Sequence, residues 1–262
     1  MDSRSISDLD SEQLLKLVRD RQLEEADLLK VLRSPFCTAQ IAESIAAERR
    51  NLDGHAVREL LAGFPGFTFG RAMDLMATLP WTSLLSLSQS PRTPPVVRRQ
   101  AERKLLSLVS SMSLGERIAL ARRAHREIFQ VLVGAGDEQV LCALLDNPRL
   151  VENDILVILN TREPSLGFFP ELARHHKWGS YLRVRRALLV CSHTPLPIAL
   201  SILVQMPRVE LRRILEHPNL PEEVREAAES LIEREALGQR RVIDFSGDDS
   251  NGGGAQSSEG LW

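Results

Sequence analysis

Apolar residues along most of the chain come in short helical-period clusters that stop at a brief polar break and then resume. The clearest instance surrounds Pro218. Leu211, Ile214 and Leu215 stand seven, four and three residues before it, a turn of about four residues follows, and Val224 restarts the pattern six residues after it. The same template fits at Pro148, with Leu141, Leu144 and Leu145 behind and Leu150 ahead. It also fits at Pro35, with Leu28, Val31 and Leu32 behind and Ile41 ahead. Pro91 carries Leu84 and Leu87 behind with Pro94 and Val97 ahead, Thr194 carries Val190 and Cys191 with Pro197 ahead, and Pro65 is a weaker copy through Leu61, Ala62, Phe67 and Thr68.

The boundaries therefore stand at 35, 65, 91, 148, 194 and 218, and two long gaps leave room for degenerate copies around Met112–Glu116 and Pro164–Pro170. That makes about eight units of 23 to 30 residues, a spacing expected of a solenoid. A short helix pair cannot bury its apolar stripe alone, so copies must stack. Proline suits the boundary because it stops one helix and, three residues on, fits the first turn of the next, where a missing N–H costs nothing.

"EHPNLPEEV", "DNPRLVENDI" and "SHTPLPIAL" resemble the leucine-rich variant repeats, a bacterial α-solenoid family related in shape to HEAT repeats. The similarity runs over roughly residues 28 to 235. It implies a right-handed superhelix with a concave face. An iron–sulfur protein of that family carries a cysteine cluster beside its repeats, a pattern from which the dispersed Cys37, Cys142 and Cys191 depart.

Composition agrees with an all-α reading: 43% of residues are apolar, aromatics supply only 5%, and Leu, Ala, Arg and Glu dominate. Residues 1–27 read as a capping helix with Leu14, Leu15, Leu17 and Val18 on one stripe, and residues 28–237 as the repeat domain. Residues 238–262, rich in Gly and Ser, read as a disordered tail whose Val242, Ile243, Phe245 and Trp262 are candidate anchors for a partner. The first residues lack a secretory pattern. The most apolar twenty residues, 187–206, contain His193, Pro195 and Pro197, which argues against membrane insertion. Three unpaired cysteines point to a reducing compartment, hence the cytoplasm.

Candidate chemistry is sparse. Adjacent His175 and His176 point to different sides of a helix and do not readily share an ion. His193 and His217 occupy the same place in two turns, which suits capping. "GFPGFTFG" at 63–70 lacks the strand and lysine of a phosphate loop and reads as a turn with Phe64, Phe67 and Phe69 packed inward, while "VGAG" at 133–136 reads as a helix stop before Asp137. No catalytic, cofactor or metal motif stands out.

Charge is more informative. The net charge of −2 hides segments of −3 (residues 1–91), +8 (92–213) and −7 (214–262). The central excess comes from Arg98, Arg99, Arg103, Arg122, Arg123, Arg183, Arg185, Arg186, Arg212 and Arg213, with Lys104 beside them. If repeats place them on equivalent faces they form a basic stripe for phosphates, nucleic acid or an acidic protein segment. If not, they are a solvated face, with Glu102, Glu127 and Glu210 as partners and arginine stems covering apolar surface. The leading expectation is a non-catalytic scaffold that binds a partner protein or peptide along its repeats. The alternative is nucleic-acid binding through the stripe, as in HEAT-like DNA alkylpurine glycosylases; those enzymes require a carboxylate and aromatics at the centre of a basic concavity, for which Trp81 and Trp178 are the large candidates.

Overall fold

The computed structural model describes residue 6 and residues 9–20, 22–161 and 165–245, with backbone alone at 161 and 235–245. The regular structure of these residues is helical, with sixteen α-helices and no strand. They belong to two compact units divided at Gly134–Ala135. The first holds α1 (Ser11–Asp20), α2 (Glu25–Arg33), α3 (Ala39–Ala47), α4 (His55–Ala62), α5 (Phe69–Ala77), α6 (Trp81–Gln89), α7 (Pro95–Leu108), α8 (Leu114–Ala121) and nearly all of α9 (Arg126–Ala135). The second holds α10 (Glu138–Leu145), α11 (Glu152–Thr161), α12 (Phe168–Arg174), α13 (Leu182–Val190), α14 (Leu196–Val204), α15 (Arg208–Leu215) and α16 (Glu222–Phe245).

Most of these helices have ten residues or fewer, too short to persist alone in water, so burial of their apolar stripes against neighbours must hold them. In both units a helix packs not only on its sequence neighbour but on the helix two further along. α1 meets α3, α2 meets α4, α4 meets α6 and α5 meets α7; in the second unit α10, α12, α14 and α16 touch in succession, and α11 meets α13. The stripes they bury are those the sequence pattern marks: Leu28, Val31 and Leu32 on α2, Leu141, Leu144 and Leu145 on α10, and Leu211 and Ile214 on α15.

All six expected boundaries lie between consecutive helices, and backbone hydrogen bonds refine one of them. At Pro35, Pro65, Pro91, Pro148 and Pro218, the N–H two residues after the proline donates to the carbonyl one residue before it, as in Leu150 N–H to Asn147 O at 3.0 Å. The next helix then begins four residues after each proline. In the sixth turn the same bond runs from Thr194 N–H to Cys191 O, and α14 begins at Leu196. The boundary residue is therefore Ser192, not Thr194. The expected equivalence of His193 and His217 falls with it, since His193 now matches Asn219, and His217 matches Cys191. Pro94 and Pro195, three residues into their turns, are N-caps and sit just outside the first helical turn.

With that correction, the intervals from Pro65 to Pro91 and from Ser192 to Pro218 are both 26 residues. A second kind of turn recurs inside each interval at the same offset of 14, where Leu79 N–H donates to Met76 O and Met206 N–H to Leu203 O, and a proline, Pro80 or Pro207, caps the next helix. Leu79 and Met206 are both buried. Met112 makes this second bond pattern, to Val109 O, ahead of the Ser113–Glu116 capping box, so Met112–Glu116 is an inner turn and not a repeat boundary.

Within the first unit, basic side chains reach from one helix to the end of the helix two before it. Arg71 on α5 pairs with Glu43 and donates to the carbonyl of Ala46 in the last turn of α3 (2.9 Å), and Lys104 on α7 donates to the carbonyl of Met76 in the last turn of α5 (2.7 Å). Ala46 and Met76 each stand eleven residues after their boundary prolines, and burial holds the Lys104 amine below its ordinary pKa. A cation at a C-terminal carbonyl also complements the helix dipole.

Other expectations change. α16 runs to Phe245, eight residues beyond the expected end at Leu237, so Val242, Ile243 and Phe245 lie on helical backbone. Acidic residues in its first turn and a high density of helix formers carry it past Gly238. Trp262 lies outside the described residues. Phe67 is buried and Phe64 half-buried as expected, but Phe69, the first residue of α5, is 46% exposed. Gly136, at φ 73°, ends α9 just before Asp137, the N-cap of α10, as the glycine pattern predicts.

Candidate functional site

A groove of about 1030 Å³ opens on the second unit across α11, α13, α15 and the turns that follow α13 and α15. Its aliphatic lining comes from Leu156 and Leu159 on α11, Ala187 and Val190 on α13, and Ile214 on α15. The polar lining comes from Asn160, Arg183, Arg186 and Arg213, and from turn residues Cys191, Ser192, His193, His217 and Asn219. Successive boundary turns supply it in register: Cys191 and His217 each precede the boundary residue, and His193 and Asn219 each follow it.

An ion-pair network sets the orientation of the arginines. Glu210, on the buried face of α15 and only 7% exposed, accepts from Arg186 of α13 through Nε (2.7 Å) and Nη2, and from Arg213 of its own helix (3.1 Å). Both carboxylate oxygens are thus engaged, which is what a buried carboxylate requires. Arg183 stands 3.4 Å from Glu152 of α11. The side chains of Arg183 and Arg213 remain 62% and 63% exposed, so most of their five donors face the groove or solvent, whereas Arg186 at 34% is largely committed to Glu210.

The ten arginines of the expected stripe do not recur at one repeat position. Arg98 and Arg99 fall seven and eight residues after Pro91, Arg185 and Arg186 seven and six before Ser192, and Arg212 and Arg213 six and five before Pro218. Arg183, Arg186 and Arg213 meet in the groove. Arg185 instead donates from Nε to the carbonyl of Gly179 (2.6 Å) and from Nη2 to Gln205 (3.4 Å). Arg212 is exposed on α15 outside the groove; Arg98, Arg99, Arg103, Arg122 and Arg123 belong to the first unit, all but half-buried Arg98 exposed. Glu210 is the partner the sequence anticipates. The groove itself was not, because nothing in a one-dimensional pattern brings Asn160, 53 residues before Arg213, beside it.

The other singled-out residues are structural. His175 Nδ1 accepts from the N–H groups of Lys177 and Trp178 (3.3 Å each), its ring stacks on His176 at 4.5 Å, and Nε2 faces Asp146 at 3.4 Å. Trp178 is buried, with Nε1–H donating to the carbonyl of Leu145 (2.9 Å). Neither it nor Trp81 lines the groove.

One constellation the sequence reading missed brings Glu102, His125 and Glu127 together, with donor atoms within 4.8 Å of one another. His125 Nε2 lies 2.9 Å from Glu102 and 3.6 Å from Glu127, while its Nδ1 is buried without a hydrogen-bond partner. A metal on Nε2 would force the ring proton onto Nδ1, where no acceptor waits. The trio fits an imidazole donating from Nε2 to Glu102, which clamps the α8–α9 turn to α7.

Cys37, Cys142 and Cys191 are unpaired and half-buried. Burial pushes the Cys37 thiol up to about 11, and burial together with the charges of Glu171 and Glu138 does the same for Cys142. Raised values keep both thiols neutral, so at pH 8 only about one in a thousand is thiolate. Iodoacetamide labelling of each peptide, followed by mass spectrometry, should be slow at pH 8 and accelerate about tenfold per pH unit towards 11. A flat rate from pH 8 to 10 would contradict it.

No helix among the described residues is long and apolar enough to cross a membrane. The chain matches no protein-family model, no curated protein and no solved structure.

Proposed function

We propose that the chain is a helical-repeat protein of the leucine-rich variant or HEAT-like kind, stacked as a right-handed solenoid, which serves as a scaffold by binding a partner protein or peptide in the α11–α13–α15 groove. The 26-residue recurrence of two turn types and the packing of several helices in each unit on the one two further along support the repeat reading. The groove supports the binding reading: it is concave, mixes aliphatic and polar lining, and draws equivalent positions from successive turns, which is how repeat proteins build an extended recognition surface.

Site-specific photo-crosslinking tests this. Benzoylphenylalanine in place of Asn160 should give discrete adducts in cells, and Ala187→Trp, which fills the groove, should abolish them. The same probe at Gln130, exposed on α9, serves as the background. Adducts from Asn160 that match those from Gln130, or that survive Ala187→Trp, would defeat the reading.

A further inference from the structure

Resting on that reading of the groove, we propose a partner chemistry: an extended acidic peptide whose carboxylates pair with Arg183 and Arg213 while its apolar side chains lie on Leu156, Val190 and Ile214. Charge and exposure carry this inference. Arg183 and Arg213 are the groove's two mostly exposed cations, and each is anchored at one donor by Glu152 or Glu210, leaving the rest of the guanidinium fork free for a carboxylate. They stand on α13 and α15, which the Arg186–Glu210 pair shows to be neighbours. A peptide in the polyproline II conformation rises about 3.1 Å per residue and returns to the same face every three residues, so acidic residues three positions apart, about 9 Å, would present their carboxylates to both helices.

Two features favour a peptide over nucleic acid. The groove offers no Phe, Tyr or Trp to stack a base, only the rings of His193 and His217, and Glu152 and Glu210 offset much of the positive field that a phosphate backbone would need. Aliphatic floor and forked cations match an acidic, leucine-bearing segment instead.

The test uses the full chain and a fluorescein-labelled 12-residue peptide of four Glu-Leu-Thr repeats, with the Gln-Leu-Thr analogue and a 12-nucleotide oligothymidylate as comparisons. The acidic peptide should bind, weaken several-fold between about 50 and 300 mM salt, and outbind the Gln analogue by at least about tenfold. Arg183→Ala and Arg213→Ala should each weaken it about fivefold or more with unchanged circular dichroism, since in the second variant Arg186 still pairs with Oε2 of Glu210 and Oε1 turns to solvent water or peptide. Arg212→Ala, on the same helix but outside the groove, should leave it unchanged. Equal binding of the Gln peptide, equal loss with Arg212→Ala, tighter binding of the oligonucleotide, or no peptide binding at low salt would each overturn the proposal. Groove-dependent crosslinking to a partner that is indifferent to salt and to Arg183→Ala would leave the binding reading standing and remove only its acidic chemistry.

Discussion

Gly179→Ala should lower the stability of the second unit by about 3 kcal/mol or more, seen as a fall in Tm on the order of 10 °C. Gly179 is buried in the 3₁₀ turn Trp178–Ser180, and a Cβ there would lie 2.2 Å from the carbonyl oxygen of Ala173 at the end of α12. The clashing atom is backbone, so no rotamer change relieves it. The same glycine's carbonyl accepts from Arg185 and its N–H donates to His175 O (2.9 Å), so displacing it also loosens α13. A Tm within 2 °C of the parent would show that this turn yields more than its packing implies. Placing alanine at Gly115, where an added Cβ meets nothing within 4 Å, supplies the control.

Trp178→Ala should cost about 3–5 kcal/mol, and Trp178→Phe a good deal less. The indole is 1% exposed, packs 5.5 Å from the Tyr181 ring, lies beneath the Lys177 ammonium at 3.8 Å, and supplies the donor for the Leu145 carbonyl at the end of α10. Alanine removes packing, cation–π contact and donor together. Phenylalanine keeps most of the packing but leaves a buried carbonyl short of its side-chain partner, a loss of about 1–3 kcal/mol. Urea denaturation of the three proteins separates the two contributions; equal midpoints for the Ala and Phe variants would show that the hydrogen bond, not the packing, dominates.

Pro218 and its flanking leucines reveal a boundary because proline fixes φ and removes a donor, effects that act locally and are visible in any sequence. Ser192 does the same geometric work without proline, and Thr194-Pro195-Leu196-Pro197 imitates the pattern two residues late. A side chain that merely permits a turn leaves a weaker trace than one that enforces it. The inner turns at Leu79 and Met206 also contain prolines, yet they fall outside the template because the hydrophobic residue is inside the turn, not before it. For the site, the sequence named Arg183, Arg186 and Arg213 but grouped them with seven arginines that lie elsewhere. What distinguishes two of them is a partner on another helix, Glu152 for Arg183 and Glu210 for Arg186, 31 and 24 residues away, while Arg213 joins the same network through Glu210 of its own helix. Arg185, one residue from Arg186, rotates by a helical step and serves the Gly179 carbonyl instead.

The matched offsets within residues 65–90 and 192–217 also constrain how such a chain can change length. α5 and α14 both begin four residues into their intervals and end at twelve, and α6 and α15 both begin at sixteen. Under the proposed repeat architecture, adding or removing 26 residues between boundary turns should return the next helix to its former phase. An insertion of ten within the interval would instead rotate the following stripe away from its burial face unless a turn absorbed it. α7, at fourteen residues, is five longer than α5 and is followed by a 3₁₀ turn at Val109–Ser111, so its inner turn arrives seven residues late, at Met112. The fold thus carries something like a reading frame, in which length changes are silent or disruptive according to their remainder.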